Sequence, residues 1–230
     1  MTGLRPPALG PRLATLAGWV RPNAILADVG TDHARLPVHL LLPGRVKGAI
    51  ASDIGAGPLE RARETLDHYG IQEIPLLQCD GLSHPQFASA TDIVIAGMGG
   101  ELIASILAGA PSLHTPDRHW LLQPMSRDAH LRTYLSRAGF ALLRERAVQD
   151  GKHVYTIIEA VFAGVEGPSD AVFREIGLIR SQNGEAEARF IEERLNALER
   201  KRKGLESTAL PAEDPQAIKR LIEAIKEADR

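Results

Sequence analysis

A short apolar segment that ends abruptly in small and acidic residues constrains the fold of this chain more than any other feature. Ile25 to Val29 is apolar except for Asp28, and the residues that follow are Gly30, Thr31, Asp32, His33 and Ala34. A strand inside a parallel sheet is covered on both faces, so its functional groups collect at its carboxyl end. The segment therefore predicts a buried strand that runs into a ligand-binding turn.

Strand and helix patterns then alternate along the chain. An amphipathic helix is expected at 9–20, and apolar runs predict further strands at 48–53, 74–78, 92–96 and 120–122. A helix capped by Ser126 should follow the last of these. Two final strands, 140–148 and 154–162, flank Asp150-Gly151, a pair typical of hairpin turns. The expected fold class is α/β, with a Rossmann-like, mostly parallel sheet that ends in an antiparallel hairpin.

The composition changes after residues 164–168, where long charged runs with widely spaced apolar residues begin. We expect two domains, 1–166 with the sheet and 167–230 with helices. A break at 181–184 and an Asp214-Pro215 cap divide the second part into coiled-coil-like helices. Each apolar stripe is too narrow to form a core alone, so these helices should pack on each other, on the first domain or on another subunit.

The charge of the chain points to no strongly anionic partner by itself. Lys and Arg total 27 against 29 Asp and Glu, so any contact with nucleic acid must come from a local patch. Arg5, Arg12 and Arg21 lie in an N-terminal stretch without acids, which is an RNA-binding candidate or equally a solvated helix face. For the basic run 200–203, a solvated helix face is favoured over an RNA patch.

Cysteine usage and hydropathy favour a reducing compartment. Cys79 is the single cysteine, which excludes an internal disulfide and a cysteine-based zinc cluster. We expect no metal, no membrane span and no signal peptide, because neither a leader pattern nor a sufficiently long apolar run occurs. We therefore expect a cytoplasmic location. A monomer is favoured as the oligomeric state.

Four successive strand ends carry acids or glycines, and a doubly wound sheet brings these ends together. Carboxylates suit a ribose diol, an ammonium group and an adenine amine, but they oppose a diphosphate. Asp32 stands where the second glycine of a dinucleotide-binding turn belongs, so S-adenosylmethionine is favoured over NAD. The residues expected to contact this cofactor are Asp28, Gly30, Thr31, Asp32, His33, Asp53, Ile54, Asp80, Gly81, Gly97 and Met98.

Several short segments carry a resemblance to a known family. They are Asp28 to Ala34, Leu36-Pro37, Gly57-Pro58, Cys79 to Leu82, Ile95 to Gly100, Leu121 to Pro124 and Lys152 to Tyr155. With them the sequence resembles the bacterial tRNA (adenine(22)-N1)-methyltransferase family from about Leu9 to Glu159. The most specific part is Ala-Gly-Met-Gly-Gly followed by Leu-Gln-Pro.

The resemblance implies a seven-stranded class I methyltransferase domain with a helical appendage, and an adenine in the D-arm region of tRNA as substrate. Gly99, Gly100, Pro124 and Arg35 are then expected to bind the substrate. Gln123 is the one catalytic candidate, as a hydrogen-bonding partner of the adenine edge.

The sequence departs from its relatives at two positions of interest. Met125 replaces a common asparagine and cannot make the same hydrogen bonds, and Arg35 stands where relatives often have an aromatic residue. Arg35 is therefore expected to act on phosphate. Three alternatives stay open: a methyltransferase for another RNA base, a catalytically altered RNA-binding module that keeps the cofactor, and an adaptor that binds a partner through its C-terminal helices.

Overall fold

A computed structural model of the chain describes residues 4–72, 74–207 and 212–230. The strands are β1 (Ile25–Val29), β2 (Gly48–Asp53), β3 (Leu76–Gln78), β4 (Asp92–Gly99), β5 (His119–Ser126), β6 (Phe140–Asp150) and β7 (His153–Phe162). The α-helices are α1 (Pro11–Trp19), α2 (Arg35–Leu41), α3 (Ala56–His68), α4 (Gly100–Ala108), α5 (Asp128–Arg137), α6 (Ala171–Ile176), α7 (Glu185–Glu206) and α8 (Pro215–Ala228). Short 3₁₀ turns occupy Pro85–Ser89, Pro111–Leu113 and Ser181–Asn183.

The strands form one seven-stranded sheet in the order β3-β2-β1-β4-β5-β7-β6. Strands β1 to β5 run parallel, and β7 pairs antiparallel with both β5 and β6. The chain builds outward from β1 to β3 and then returns to the other side of β1 with β4. A crevice is expected at the carboxyl ends of β1 and β4, where this reversal occurs.

Helices cover both faces of the sheet, which explains why its central strands are apolar throughout. On one face, α4 and α5 pack against Ala27, Ile93, Ile95, Trp120 and Leu122. On the other, α1 and α2 pack against Leu26, Ala49, Val94, Leu121 and Ile157. Burial of each large apolar side chain contributes about 1.5–3 kcal/mol, so the two layers hold the strand ends in a rigid frame.

The C-terminal helices pack on each other and on the hairpin, two of the three arrangements that the sequence left open. Apolar residues of α6, α7 and α8 share a cluster with Ala147 of β6 and Val154 of β7. The buried guanidinium of Arg132 adds a polar connection, since it pairs with Glu145 at 2.8 Å and its Nη1 donates to the Arg174 carbonyl at 3.0 Å. The helical part is thus joined to the sheet through β6.

The structure confirms the predicted fold class and changes several element bounds. Strands β4 and β5 both extend beyond the predicted ends, so Gln123 and Pro124 lie within β5. The prediction that Ser126 caps α5 is wrong, because Ser126 is the last residue of β5. Arg127 occupies the N-cap position at φ 58° and makes no side-chain cap hydrogen bond. No helix in the described ranges has the length and apolar character needed to cross a lipid bilayer.

Candidate active site

A cavity of about 340 Å³ opens at the carboxyl end of the sheet, where β1 and β4 separate. Its walls come from α1, β1, the turn after β1, the start of α2 and the ends of β4 and β5. The lining residues are Arg12, Leu13, Asp28, Gly30, Thr31, Asp32, His33, Arg35, Leu36, Ala96, Gly97 and Gln123. Carboxylates and guanidinium groups therefore face the same space, which suits a ligand that carries both signs of charge.

Asp28 is the most deeply placed acid of the cavity, with 6% of its surface exposed. Thr31 Oγ1 donates a hydrogen bond of 2.5 Å to Asp28 Oδ2. Burial raises the pKa of Asp28 from its ordinary value of 3.8 to about 6, with the Thr31 hydrogen bond opposing the rise and the Asp53 carboxylate adding to it. A buried carboxyl with one protein donor is a position that a cationic or hydroxyl-bearing ligand would satisfy.

The turn after β1 is held in a conformation that few residues adopt. Gly30, Asp32 and Ala34 have φ values of 76°, 49° and 51°. The amides of Gly30 and Thr31 both donate to the Ser52 carbonyl, at 2.8 and 2.9 Å, which ties the turn to β2. A Cβ at Gly30 would collide with the Met98 side chain. Positive φ in non-glycine residues is uncommon and clusters at functional sites, so the surrounding packing maintains this shape.

Asp32 and His33 project from this turn toward solvent. Asp32 forms an ion pair with Arg61 of α3 at 2.5 Å and lies 3.4 Å from His33 Nε2. Its side chain is 54% exposed, so a ligand competes with Arg61 and with water for this carboxylate. The expectation of direct cofactor contact thus applies more strongly to Asp28 than to Asp32.

The next two strand ends continue the site beyond the cavity. Asp53 accepts a hydrogen bond of 2.9 Å from the Gly55 amide, and Ile54 beside it is 70% exposed. Asp80 is exposed after β3, and Gly81 has φ 53°. These groups do not line the cavity, but they follow it in sheet order because β2 and β3 lie successively beyond β1. The exposed apolar surface of Ile54 suits a flat base beside a ribose.

The ends of β4 and β5 form the opposite wall, where the pairing of the two strands shifts register on either side of Met98. Gly97 has φ 78° and leaves open space where a Cβ would stand. A Cβ at Gly100 would collide with the main-chain carbonyl of Arg127. Gly97 lines the cavity, whereas Met98, Gly99, Gly100 and Pro124 do not.

Gln123 has a different environment from the one expected. It is fully buried, its Oε1 accepts from the Gly97 amide at 3.1 Å and from Arg12 Nη1 at 2.9 Å, and its Nε2 donates to the Pro124 carbonyl at 2.8 Å. This geometry argues against a direct hydrogen bond to the adenine edge, because the side-chain amide is already engaged with protein groups. Gln123 instead stabilises the turn that borders the cavity.

Arg12 is the charged residue of the cavity wall that the sequence reasoning did not place there, alongside the apolar Leu13, Leu36 and Ala96. Its Nε donates to Asp150 Oδ2 at 2.7 Å, and its guanidinium lies over the Tyr155 ring, 4.8 Å from the centroid. Its position four residues before the buried Leu16 puts it near the apolar face of α1, which is the one indication in the sequence. Arg21 also pairs internally, with Asp92, which leaves Arg5 as the one arginine of the acid-free N-terminal stretch without a side-chain partner among the described residues.

Arg35 and Met125, the two departures from relatives, both lie at the mouth of the site. Arg35 is exposed and lines the cavity, and its guanidinium has no hydrogen bond or ion pair with the residues that the structure describes. Met125 is 40% exposed, with its sulfur 3.0 Å from Arg12 Nη1. By contrast, Lys201 and Arg202 of the basic run on α7 pair with Glu213 and Glu199, as expected of a solvated helix face.

Comparisons with known proteins identify the family of the chain. Residues 9–158 match a family model described as a methyltransferase domain. The tRNA (adenine(22)-N(1))-methyltransferase of Bacillus subtilis is 33% identical over 172 residues, which cover 74% of this chain and 72% of that protein. The crystal structure of the B. subtilis m1A22 tRNA methyltransferase TrmK superposes with a TM-score of 0.84 at 29% identity, over 97% of this chain and 99% of that one.

A structure with bound cofactor also resembles the chain. Streptococcus pneumoniae Sp1610 in complex with S-adenosyl-L-methionine superposes with a TM-score of 0.79 at 30% identity, over 95% of this chain and 98% of that one. The sheet order, the acidic strand ends and the matched domain define an S-adenosylmethionine-dependent methyltransferase with a Rossmann-like fold. Within that class, the chain belongs to the tRNA (adenine(22)-N1)-methyltransferase family, as its sequence segments predicted.

Proposed function

We propose that this protein transfers a methyl group from S-adenosylmethionine to N1 of an adenine in tRNA, at position 22 as in the family. The observation that carries the proposal is the cavity at the β1 and β4 ends, which is lined by both the buried Asp28 and the open Gly97. Most of the chain, including every strand of this site, lies within the regions that match relatives named for this reaction.

The chain's own residues fit the cofactor part by part. Asp28 offers a buried carboxylate for the ammonium group, and Asp53 at the end of β2 is placed for the ribose hydroxyls. Ile54 and the Asp80-Gly81 turn provide an apolar surface and an acceptor for the adenine. When bound, S-adenosylmethionine supplies an electrophilic methyl group on a cationic sulfur.

The reaction at the base needs positioning more than proton transfer. Adenine N1 has an exposed lone pair and is largely unprotonated near neutral pH, so it attacks the methyl carbon without a strong base. Placing the base and the methyl group in line then supplies most of the rate. The open space at Gly97 leaves room for a flat base at that point.

Pairing or tertiary stacking in tRNA would hide N1, so the nucleotide has to swing out into the pocket. The unpaired Arg35 is placed to bind a backbone phosphate at the mouth of the cavity. Met125 and Tyr155 both contact Arg12 of the cavity wall, and Met125 offers the base a polarizable apolar contact in place of an amide.

The division at residues 166 and 167 separates a catalytic domain from a helical domain that presents tRNA to it. The protein acts as a monomer in the cytoplasm, where tRNA is modified. No membrane association is part of this function.

The decisive experiment is incubation of the purified protein with methyl-labelled S-adenosylmethionine and an unmodified tRNA that carries A22. Nucleoside mass spectrometry should show 1-methyladenosine, and the same tRNA with G22 should remain unlabelled. Label in a different nucleoside would keep the enzyme class and reject the adenine assignment. Cofactor binding and tRNA retention without any methyl transfer would favour the noncatalytic RNA-binding module.

A further inference from the structure

Arg12 and Asp150 meet at the wall of the reaction cavity, although neither belongs to the parallel strands that form the cofactor site. Arg12 lies in the first turn of α1, and Asp150 is the last residue of β6. Their contact of 2.7 Å is partly shielded, with side-chain exposures of 27% and 29%. The Tyr155 ring lies below the guanidinium and restricts its motion further.

The fork of the Arg12 guanidinium determines how the Gln123 amide is oriented. Nε is bound to Asp150, which directs Nη1 toward Gln123 Oε1 at 2.9 Å. The same oxygen accepts from the Gly97 amide at 3.1 Å. Because two donors converge on this atom, only one of the two amide orientations satisfies both of them. Arg12 therefore acts on the Gly97 turn through Gln123.

Asp150 controls the charge of this arrangement. The proposed reaction moves one positive charge from the cofactor sulfur to the base within the cavity that Arg12 lines. A guanidinium without a counterion would repel the cationic cofactor and the cationic product alike. The Asp150 carboxylate offsets that charge, so the fork can hold Gln123 without opposing the chemistry.

From these contacts we infer that Arg12 and Asp150 are a positioning pair for methyl transfer: Arg12 holds Gln123 against Gly97, and Asp150 offsets the charge of Arg12. The inference rests on the proposed function and adds to it two residues from elements outside the parallel strands. Neither residue touches the reacting atoms, so each acts through a neighbour.

The chain offers a matched control at the other end of α1. Arg21 follows this helix and forms an ion pair of 2.6 Å with Asp92, the first residue of β4. This pair also ties the start of the chain to the sheet, but it lies away from the cavity. Arg21→Ala therefore reports the effect of loosening the N-terminal segment alone.

The test compares Arg12→Ala, Arg12→Lys and Asp150→Asn with wild type and with Arg21→Ala. We expect Arg12→Ala to lower kcat for A22 tRNA roughly 30-fold while KM for tRNA changes less than about threefold. Arg12→Lys should restore little, because a point-like ammonium cannot replace the fork. Asp150→Asn should weaken S-adenosylmethionine binding roughly fivefold in calorimetry and have little effect in an Arg12→Ala background. Arg21→Ala should keep kcat within about twofold of wild type even if its Tm falls.

The outcomes separate the inference from the proposed function. The positioning role is overturned if wild type is active and both Arg12 variants keep its kcat. It is also overturned if Arg12→Lys restores the kcat that Arg12→Ala loses. Equal losses of kcat in Arg12→Ala and Arg21→Ala would show that the pair is structural only. If wild type itself methylates no tRNA, the proposed function fails. Separately, an unchanged cofactor affinity in Asp150→Asn rejects the role of Asp150 in offsetting the charge of Arg12. Should Arg12→Ala not fold, Arg12→Gln gives the same comparison with a smaller loss of packing.

Discussion

The two ends of helix α1 carry the same kind of contact in opposite settings. At the amino end of the sheet, Asp92 is fully buried and accepts from the Arg21 main-chain amide and from its guanidinium, at 2.6 to 2.8 Å. At the carboxyl end, the Arg12 and Asp150 side chains are both partly exposed and border an open cavity. The Arg21–Asp92 pair stabilises the fold, whereas the Arg12–Asp150 pair leaves one edge of the Arg12 guanidinium facing the cavity.

The same contrast extends across the sheet. Near the amino end, Arg118 donates to the carbonyls of Ala88 and Ala90, and Glu159 is bound by both His119 and Arg144. At the carboxyl end, Asp28 has one side-chain donor and Arg35 has no partner among the described residues. The fold satisfies these polar groups at the amino end, whereas Asp28 and Arg35 at the carboxyl end keep hydrogen-bonding capacity for a ligand.

The largest expected effect tests the structural end. Asp92→Ala should lower the free energy of unfolding by about 2–3 kcal/mol, because it leaves the main-chain and guanidinium donors of Arg21 without their buried acceptor. Denaturant titration measures the loss. Cofactor affinity at a temperature where the variant is folded should match wild type, and a large drop in affinity would show that the two ends are coupled.

A somewhat smaller effect is expected at the ligand-binding end. Asp28→Ala and Asp53→Ala should each weaken S-adenosylmethionine binding by about 1–3 kcal/mol, since each removes a charge-assisted hydrogen bond. Isothermal titration calorimetry measures the change. Asp28→Ala should lower the free energy of unfolding less than Asp92→Ala does, because burial of the Asp28 carboxylate is itself unfavourable. Unchanged affinity in both variants would mean that the cofactor lies elsewhere.

The raised pKa of Asp28, about 6 against an ordinary 3.8, predicts two opposite pH dependences. Between these two pKa values the Asp28 carboxyl is protonated in the folded chain and ionised in the unfolded chain. Its contribution to the free energy of unfolding is therefore complete below the unfolded pKa and is lost as pH rises through the folded pKa. Cofactor binding needs the ionised carboxylate, so affinity should fall roughly tenfold from about pH 7 to about pH 5. The Asp28→Asn variant should show a nearly flat profile, and a wild-type profile equally flat would contradict this role of Asp28.

The smallest effect is expected at the exposed mouth of the cavity. Arg35→Ala should raise KM for tRNA about threefold to tenfold, leave kcat and cofactor affinity nearly unchanged, and reduce the salt dependence of tRNA binding by about one phosphate contact. Steady-state kinetics at two salt concentrations measure this. Arg63, an exposed arginine of α3 away from this cavity, supplies the control substitution. Equal changes in both variants would indicate only a general electrostatic effect.

The parts of the site that are local in sequence were predictable. Strand β2 has its predicted bounds, the hairpin turns at Gly151 as expected, and the acids and glycines after β1 surround one cavity. These features follow from apolar periodicity and from the rule that parallel strands present their carboxyl ends together. The family segments were recognisable for the same reason, because each spans only a few consecutive residues.

Other features depended on contacts that no short pattern encodes. Gln123 was expected at the substrate, but the extension of β5 buries it and directs its amide to Gly97 and Arg12. Ser126 was expected to cap a helix, but sheet pairing keeps it in β5. For Ser126, tertiary packing overrode a local capping preference, and for Gln123 the pairing of β5 decided which groups its side-chain amide meets.

The alternating fold, the strand-end acids and the class of cofactor could be inferred from the amino-acid sequence, because each depends on residue types within one element and on the topology those elements allow. Which charges are neutralised beside the reaction, and which remain free, became visible in the folded structure. Arg12 and Asp150 are 138 positions apart, and their contact exists because α1 lies across the sheet while β6 folds back beside it. Coulombic interaction depends on distance in space, so the charge balance of this site is established only when α1 and β6 have packed together.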